Sequence, residues 1–576
     1  MSTHRDTTTQ LQVAGFTVLA VVAIGLIVAV LSALGYPTLL LTGIGVAATL
    51  LIAATLAATY RWWGHSATER KLRDTSALGD VTGKGAITKG AELRGLKDDQ
   101  LKGLSARDVA MVIGRIGKKV IVKTLEDFTL IIMGPRSNKT SSQAVPRILS
   151  AMGAVVATSN KPDLWILTAA LRRRKGPVYG YDPGQIAFVE QTWWWNILAA
   201  VTDFASAKRV ATHFMAGVGS NDSSKGNSGF FDSGSKRMLA QNLLAAAVSG
   251  RTMRDVLHWI DTYSDEPVHL LKEHGFARHG EALDSTLHLV PETLSGIQGG
   301  ASGALECLQD EAALRWVTPP DTWETPPEGE ITELDLWTLF TAHPGQEPTL
   351  YLMTQEGAES SGPIVAAMVD QVFKLADLAS SAHGGRLEPP MTVVLDEAAN
   401  ICRIDDLPAK ASHLGSKAVL VDVILQSYQQ GMGVWGRERM GALWSASTCR
   451  IIGAGLQEEG DARMVSNLIG THEVWKTSYS SGPGGNTRSR QLVREPIMPL
   501  EEVAAMDRSH ALLIRQGSRP ALMELMPWYL EDDATDISTY QKTATEQVRR
   551  AAVERLGDNA LGQHLATHVT ATETQR

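Results

Sequence analysis

One stretch decides the fold: residues 128–142 read Phe-Thr-Leu-Ile-Ile-Met-Gly-Pro-Arg-Ser-Asn-Lys-Thr-Ser-Ser. An apolar strand runs into a short, turn-prone loop that ends in Lys139 and Thr140, and a helical pattern follows. This is the order of a phosphate-binding P-loop, in which backbone N–H groups surround the phosphates, the lysine supplies positive charge and the hydroxyl reaches Mg²⁺. The predicted nucleotide-binding residues are Gly134, Pro135, Arg136, Ser137, Asn138, Lys139, Thr140 and Ser141.

The loop departs from the usual pattern G-x-x-x-x-G-K-[ST] at two positions. Met133 stands where the first glycine belongs, with Gly134 one position late, and Asn138 precedes the lysine. Asparagine tolerates a positive φ better than other non-glycine residues, so Asn138 is compatible with the turn, whereas Met133 has no such explanation. Taken alone, the stretch fits either a nucleotide-binding loop or a strand–turn–helix corner with an exposed lysine.

A second apolar run, Met-Thr-Val-Val-Leu at 391–395, ends in Asp396 and Glu397. A buried parallel strand delivers such residues to its carboxyl end, where open α/β sheets bind ligands. We predict that Asp396 holds Mg²⁺ through water and that Glu397 orients or deprotonates the attacking water. An isolated Asp-Glu pair also fits a solvated turn, but together with the P-loop it favours a nucleotide hydrolase.

A third apolar run, residues 418–425, ends in Gln426. A polar side chain at this place can sense the γ-phosphate of a bound nucleotide, or it can cap the end of the strand. Both interpretations stay open at this point.

The bulk composition fits several globular domains. The chain has 576 residues, of which 44% are hydrophobic and 20% are charged. Cys307, Cys402 and Cys449 are too far apart for a zinc motif or a disulfide framework and are expected to be reduced thiols.

The first sixty residues differ from the rest. Residues 13–34 and 39–58 are almost wholly apolar, and each run is about the ~20 residues that a helix needs to cross a bilayer. A signal peptide has one shorter apolar region, so the pair predicts a two-helix transmembrane anchor; a buried helical hairpin is the alternative. The flanking cations predict that both termini lie in the cytoplasm, so the chain is expected to be a multi-pass membrane protein.

Charge is unevenly distributed along the chain. Residues 1–125 carry a net charge of +7 within a chain of net charge −8. The basic part fits attraction to anionic lipid or to nucleic acid. A chain that is acidic overall is not a general DNA coat, so any DNA contacts are expected to be local, for instance inside a pore.

Alternating strand and helix patterns predict an α/β fold with a parallel sheet that is interrupted by a helical region. The predicted parts are a membrane anchor at 1–63, a linker at 64–105, a nucleotide-binding domain at 106–195 and 316–530, an inserted all-helical domain at 196–315 and a polar tail at 531–576.

Two further groups of residues are candidates for other roles. Trp193, Trp194 and Trp195 fit either base stacking or, without adjacent cations, packing against the helical region. Arg437, Arg439 and Arg450 fit either an arginine finger that reaches a neighbouring subunit or surface salt bridges.

The order of these features resembles the type IV coupling proteins, the ATPases of bacterial conjugation and type IV secretion. The family P-loop commonly reads G-P-P-R-S-G-K-T-S, and residues 133–141 align with it without gaps. The resemblance covers nearly the whole chain. It is carried by residues 133–141, 145–146, 153–164, 178–183, 195–198, 395–401, 426–430, 495–500 and Glu502.

The resemblance implies a RecA-like P-loop NTPase with an inserted all-α domain and an N-terminal two-helix transmembrane anchor in the bacterial inner membrane. It implies an ATP- and Mg²⁺-dependent homo-hexamer that receives DNA, as a relaxase-bound single strand from the relaxosome, and passes it to the proteins of a type IV secretion channel. It assigns catalysis to Lys139, Glu397 and Gln426 and the metal to Thr140 and Asp396.

The departures at Met133 and Asn138 predict slow or absent turnover, because asparagine lacks the backbone freedom of glycine. Three alternatives remain. A C-terminal winged-helix DNA reader would favour a septal double-stranded-DNA translocase, and residues 530–576 show no basic recognition-helix pattern. A docking scaffold with weak or no hydrolysis would recruit secretion substrates through the helical region. A protein-exporting ATPase of the same family would differ only in its cargo.

Overall fold

The computed structural model describes residues 71–73, 75–217, 228–341, 345–357, 360–456, 458–482, 485–557 and 562–563. The chain separates into two compact units, residues 1–74 and residues 75–576. The sheets, the helices named below and the candidate site lie in the second unit.

An eleven-stranded sheet forms the centre of this unit, in the order β2-β1-β15-β14-β11-β3-β10-β9-β4-β8-β5. Two further two-stranded sheets, β6-β7 and β12-β13, accompany it. The strands are β1 (Met111–Ile116), β2 (Lys119–Lys123), β3 (Thr129–Ile132), β4 (Val155–Ser159), β5 (Val178–Tyr181), β6 (Trp193–Trp194), β7 (Thr332–Glu333), β8 (Thr349–Met353), β9 (Met391–Leu395), β10 (Val419–Leu425), β11 (Cys449–Gly453), β12 (Thr471–Gly482), β13 (Gly485–Pro496), β14 (His510–Arg515) and β15 (Ala521–Glu524).

The strands from β11 to β5 in this order run parallel to one another, and β14, β15, β1 and β2 extend the sheet with antiparallel pairs. Strands β3, β8, β9 and β10 are buried along their whole length, as expected for parallel strands covered on both faces. Ile132 pairs with Leu425 on one side and Ile452 on the other. Strands β10, β3 and β11 therefore end level with one another at one edge of the sheet.

Helices cover the sheet, and a run of helices separates β6 from β7. That run, called here the helical segment, consists of Phe204–Gly217, Ser228–Ser249, Met253–Thr262, Glu266–Glu273, Ala277–Leu287, Pro291–Ala304 and Glu311–Leu314. The remaining helices are Gly83–Leu93, Ala106–Val109, Val145–Ser150, Asp163–Arg172, Thr338–Thr341, Gly362–Ala382, Ala398–Ile401, Leu407–Lys410, Tyr428–Ala446, Glu459–Ile469, Leu500–Ala504 and Ala534–Gly557.

A group of three charged side chains is buried beneath the helix that follows the P-loop. Asp422, in the middle of β10, accepts from Lys123 Nζ over 2.6 Å and from Arg147 Nε over 2.9 Å, and all three side chains are fully buried. Burial raises the pKa of Asp422, but the charges of Lys123 and Arg147 outweigh burial, so its pKa is lowered. Because Arg147 lies on helix Val145–Ser150, this group ties that helix to the centre of the sheet.

The tryptophan triplet takes part in packing. Trp193, Trp194 and Trp195 are 2%, 8% and 5% exposed. The rings of Trp193 and Trp316 lie edge to face with their centroids 5.1 Å apart. Of the two interpretations offered by the sequence, packing is confirmed, since buried rings are not open to stacking with bases.

The predicted localisation requires a correction. In the part of the chain that the structure describes, no helix is long and apolar enough to cross a membrane. For example, the 21-residue helix Gly362–Ala382 carries Asp370, Lys374 and Asp377. This finding overturns the prediction of a multi-pass inner-membrane protein. The two apolar runs on which it rested, residues 13–34 and 39–58, lie outside the described residues.

Candidate nucleotide-binding site

The sequence-predicted residues converge at the carboxyl edge of the parallel strands. The loop of residues 133–139 leaves β3, Asp396 and Glu397 follow β9, and Gln426 follows β10. Because β10 lies between β3 and β9, three segments that are far apart in the chain meet at one place.

The start of the loop explains the displaced glycine. Met133 continues the pairing of β3, since its N–H donates to the Leu425 carbonyl over 3.0 Å, and its side chain is fully buried against Gly453. The N–H of Gly134 donates to the Ala454 carbonyl over 3.0 Å. A Cβ at Gly134 would lie 2.1 Å from the carbonyl oxygen of Gly455. The close backbone approach therefore occurs at Gly134, and position 133 is a core position.

The rest of the loop has the backbone of an anion-binding turn. Arg136 and Asn138 have positive φ values of 57° and 67°. Alternating right- and left-handed residues turn successive N–H groups toward one point, which suits a phosphate. Ser137 Oγ donates to the Gly134 carbonyl over 2.5 Å and closes the loop. Pro135 and Arg136 are exposed, and Asn138 Nδ2 donates to the Arg508 carbonyl over 3.3 Å.

Lys139 is the point at which the chain becomes helical. Its φ and ψ are −54° and −47°, and residues Thr140–Ala144 form a π-helical turn that leads into helix Val145–Ser150. Ser142 N–H and Ser142 Oγ both donate to the Asn138 carbonyl, over 2.9 and 2.7 Å, and Ser141 Oγ donates to it over 3.4 Å. Lys139, Thr140 and Ser141 therefore stand at a helix start, directly after this turn, where an anion is favoured.

Glu397 is the residue on which the site converges. Its side chain is 3% exposed, and its Oε1 forms an ion pair with Lys139 Nζ. Its Oε2 accepts from Gln426 Nε2 over 2.9 Å. Its backbone is left-handed, with φ 54° and ψ 38°, a conformation that is costly for a residue with a side chain.

Asp396 is buried beside this group. Its Oδ1 has no hydrogen-bond partner among the described residues, and its backbone carbonyl accepts from Thr158 Oγ1 over 3.0 Å. Burial is the main cause that raises the pKa of Asp396 to about 6; Lys139 opposes this and the charge of Glu397 adds to it. A buried carboxylate oxygen without a donor is suited to a cation or to its water shell.

The structure also brings in residues that the sequence did not single out. Asn400, Gln430 and Glu356 extend the hydrogen bonds of Glu397 and Gln426 along the sheet edge, and Gly455 supports the loop. Asn400 and Gln430 lie inside the stretches 395–401 and 426–430 that carried the family resemblance, so their positions were visible in the sequence but their contacts were not.

Two of the three arginines considered as fingers make contacts within the chain. Arg439 Nη1 lies 3.9 Å from Asp405 Oδ2, and the Arg450 guanidinium lies 5.1 Å from the ring centre of Trp444. These contacts fit the salt-bridge and packing interpretation for Arg439 and Arg450.

The residues present fit ATP and Mg²⁺. The turn at 134–138 offers backbone donors and Lys139 offers a positive charge. Asp396 Oδ1, which has no hydrogen-bond partner among the described residues, offers an anionic oxygen within reach of the charge of Lys139.

Two family models match the chain: residues 75–321 match "Type IV secretory system Conjugative DNA transfer", and residues 390–508 match "TraM recognition site of TraD and TraG". The chain belongs to the type IV coupling proteins. The matched ranges include both the P-loop and the segment that carries Asp396, Glu397 and Gln426.

Curated relatives of this coupling protein are the conjugal transfer proteins TraG of Agrobacterium fabrum and of Rhizobium radiobacter. The first is 22% identical over 433 residues, which cover 70% of this chain and 60% of the relative. The second is 21% identical over 429 residues, which cover 70% of this chain and 62% of the relative. The chain thus spans less than two thirds of the length of these relatives.

Solved structures share the fold. The unbound bacterial conjugative coupling protein TrwBΔN70 is 16% identical, with a TM-score of 0.51, over 71% of this chain and 86% of that chain. TrwB in complex with the non-hydrolysable ATP analogue ADPNP is 17% identical, with a TM-score of 0.50, over 71% and 87%. The mixed α/β fold around a parallel sheet is therefore the fold of TrwB.

Proposed function

We propose that this coupling protein is an ATP-driven motor for conjugative DNA transfer. The observation that carries the proposal is the contact of Lys139, Glu397 and Gln426 at one sheet edge, beside a buried Asp396 and a phosphate-binding turn. The names of its relatives, conjugal transfer proteins, and the ADPNP complex of TrwB support the same assignment.

In this proposal the residues of the loop 134–138 bind phosphate oxygens, Lys139 balances their charge, and Thr140 with Asp396 holds Mg²⁺. Bound ATP and Mg²⁺ supply a phosphoanhydride bond and a local positive charge. Glu397 orients a water molecule and accepts its proton. Gln426 Nε2 holds the Glu397 carboxylate and connects it to β10, the neighbour of the P-loop strand.

The cargo and the assembly are proposed from the family. Single-stranded DNA carried by a relaxase is the substrate that we propose, with the proteins of a type IV secretion channel as the receiving partners and a homo-hexamer as the working form. The domain limits given by the sequence, with a nucleotide-binding domain at 106–195 and 316–530 and an inserted helical domain at 196–315, belong to the same proposal.

ATP hydrolysis by the purified full-length protein tests this function, with and without single-stranded DNA. We expect DNA-stimulated turnover that Lys139→Ala and Glu397→Gln each lower by at least about 100-fold, since each removes a group required in the transition state. Stimulation by double-stranded DNA alone would instead favour a duplex translocase.

Nucleotide binding distinguishes the motor from the scaffold. Wild-type protein that neither binds ATP in calorimetry nor hydrolyses it would contradict the motor and favour the docking scaffold. In cells, undiminished plasmid transfer by Lys139→Ala would contradict the motor as well.

A further inference from the structure

A closed ring of hydrogen bonds joins Glu397 to three amide side chains. Gln426 Nε2 donates to Glu397 Oε2 over 2.9 Å, and the backbone N–H of Gln426 donates to Gln430 Oε1 over 2.9 Å. Gln430 Nε2 donates to Asn400 Oδ1 over 2.8 Å. Asn400 Nδ2 donates to Glu397 Oε2 over 3.5 Å, which closes the ring. The ring thus links the turn after β9 to the helix after β10.

The ring determines which way each amide points. An amide has one oxygen that accepts and one nitrogen that donates. Because Gln430 Oε1 is engaged by a backbone N–H, Gln430 Nε2 faces Asn400 Oδ1. Asn400 Nδ2 therefore faces two carboxylates. It donates to Glu397 Oε2 and, over 2.8 Å, to Glu356 Oε1.

Glu356 fixes the ring to a third strand end. It follows β8, and its Oε1 also accepts from Asn160 Nδ2 over 2.5 Å. Asn160 follows β4, the strand between β8 and β9. Asn400 consequently lies between two carboxylates, Glu397 and Glu356, and donates toward both.

We propose that Asn400 is a positioning residue that holds Glu397 in the orientation needed for hydrolysis; this inference rests on the proposed ATPase function. Glu397 has a left-handed backbone that needs support from its surroundings. Asn400 supplies that support twice, through its side chain and through its backbone N–H, which donates to the Glu397 carbonyl over 2.8 Å. Asn400 is not part of the loop 134–138 that we propose binds phosphate. Its contacts are with Glu397, so its effect on hydrolysis is exerted through the orientation of Glu397.

The first test substitutes Asn400→Ala in the full-length protein. We expect kcat to fall roughly 10- to 100-fold, because a misplaced catalytic group costs about that much, while KM for ATP changes less than about twofold. Gln429→Ala is the matched control, an exposed residue beside Gln430 on the same helix, and should leave both constants unchanged.

A binding measurement separates positioning from a general structural effect. ADP with aluminium fluoride mimics the transition state, so its affinity should fall by the same factor as kcat, whereas ADP alone should bind within about twofold of wild type. Equal weakening of both ligands, or a large loss of melting temperature that accounts for the lost activity, would overturn the positioning role.

A rescue pair tests the direction of the amide. Asn400→Asp keeps the acceptor for Gln430 but places a carboxylate 2.8 Å from Glu356 Oε1, so kcat should fall at least as far as in Asn400→Ala. Adding Glu356→Gln supplies a donor in place of the opposing charge and should recover part of the loss.

The outcomes separate this inference from the function on which it rests. If wild-type protein hydrolyses ATP and Asn400→Ala does so equally well, only the role of Asn400 is overturned. If wild-type protein binds neither ADP nor the aluminium fluoride complex, the ATPase function is overturned and the role of Asn400 with it.

Discussion

At the residue scale, the irregular P-loop follows from where its backbone is crowded. Gly134 is pressed against the backbone of Gly455, whereas Met133 is a core residue that packs on Gly453. The requirement for a residue without a Cβ has therefore moved by one position, and methionine at 133 does not obstruct the turn at 134–138 that we propose binds phosphate.

This account predicts the effect of Gly134→Ala. The new Cβ would lie 2.1 Å from the Gly455 carbonyl oxygen, so the loop must shift, and nucleotide affinity should fall at least about 10-fold in calorimetry. Gly441→Ala is the control, because a Cβ there meets nothing within 4 Å on helix Tyr428–Ala446. Unchanged nucleotide affinity in Gly134→Ala would mean that the contact with Gly455 does not determine the conformation of the loop.

Asn138 is the second irregular position, and its φ of 67° decides which substitutions it accepts. Asn138→Ala should lower the free energy of unfolding by about 1 kcal/mol, because alanine disfavours the left-handed region. Asn138→Gly should stay within about 0.5 kcal/mol of wild type, since glycine adopts this backbone freely but gains freedom when unfolded. Urea unfolding measures both, and equal stability of the two variants would contradict a strained Asn138.

Much of the site was predictable from motif order, and the part that was not depends on strand neighbours. Lys139, Asp396, Glu397 and Gln426 each follow an apolar strand, and carboxyl ends of parallel strands meet. Asn400 gave no such signal, because its bonds to Gln430 and Glu356 exist only once β8, β9 and β10 lie in the order the sheet shows. Sequence spacing does not contain that order.

At the element scale, strand β10 both leads to Gln426 and contains the buried Asp422. Its buried Asp422 ties the sheet to Arg147 on the helix that follows the P-loop and to Lys123 at the end of β2. A strand pattern in the sequence shows an acidic residue within an apolar run, but not the two cations that make it tolerable, since those lie about 275 and 299 residues away in the chain.

Asp422→Asn should destabilise the protein strongly. Removing one partner leaves Lys123 and Arg147 as buried charges without compensation, so we expect the free energy of unfolding to fall by about 3–5 kcal/mol in urea titrations. Asp377→Asn is the control, since Asp377 pairs with Lys417 over 2.6 Å while 41% exposed and should cost less than about 1 kcal/mol. If both variants lost similarly small amounts of unfolding free energy, burial would not determine how much the ion pairs of Asp422 stabilise the protein.

At the scale of the whole molecule, hydrophobic periodicity and the alternation of strand and helix patterns predicted an α/β fold with a parallel sheet. The fold shared with TrwB confirms this prediction. The localisation was wrong, since no helix among the described residues is long and apolar enough to cross a membrane. It rested on the apolar runs at 13–34 and 39–58 and their flanking cations, which lie outside the described residues. Contacts between distant segments were the least predictable feature. One example is the contact between the helical segment and helix Gly362–Ala382. It is made by a buried ionic group that no local sequence pattern predicts.

That group is centred on Asp370 and joins the two parts. Asp370 Oδ2 lies 3.1 Å from both His213 Nε2 and Arg209 Nε on helix Phe204–Gly217, and its Oδ1 lies 3.1 Å from Lys410 Nζ. Burial raises the pKa of Asp370, but the hydrogen bond and charge of His213 and the charges of Lys410 and Arg209 outweigh burial and lower it to about 2. Lys374 also faces Asp370, from the same helix.

The lowered pKa predicts how stability depends on pH. The carboxylate is favoured in the folded state, so its contribution of about 2 kcal/mol is present above the ordinary pKa near 4 and is lost as pH falls toward 2. Asp370→Asn should therefore be less stable than wild type by about 2 kcal/mol or more at pH 7, and the difference between the two should narrow between pH 4 and pH 2. Urea unfolding at several pH values measures this, with Asp377→Asn as the exposed control on the same helix. A difference that stays constant down to pH 2 would mean that the Asp370 side chain stabilises the contact by its shape rather than by its charge.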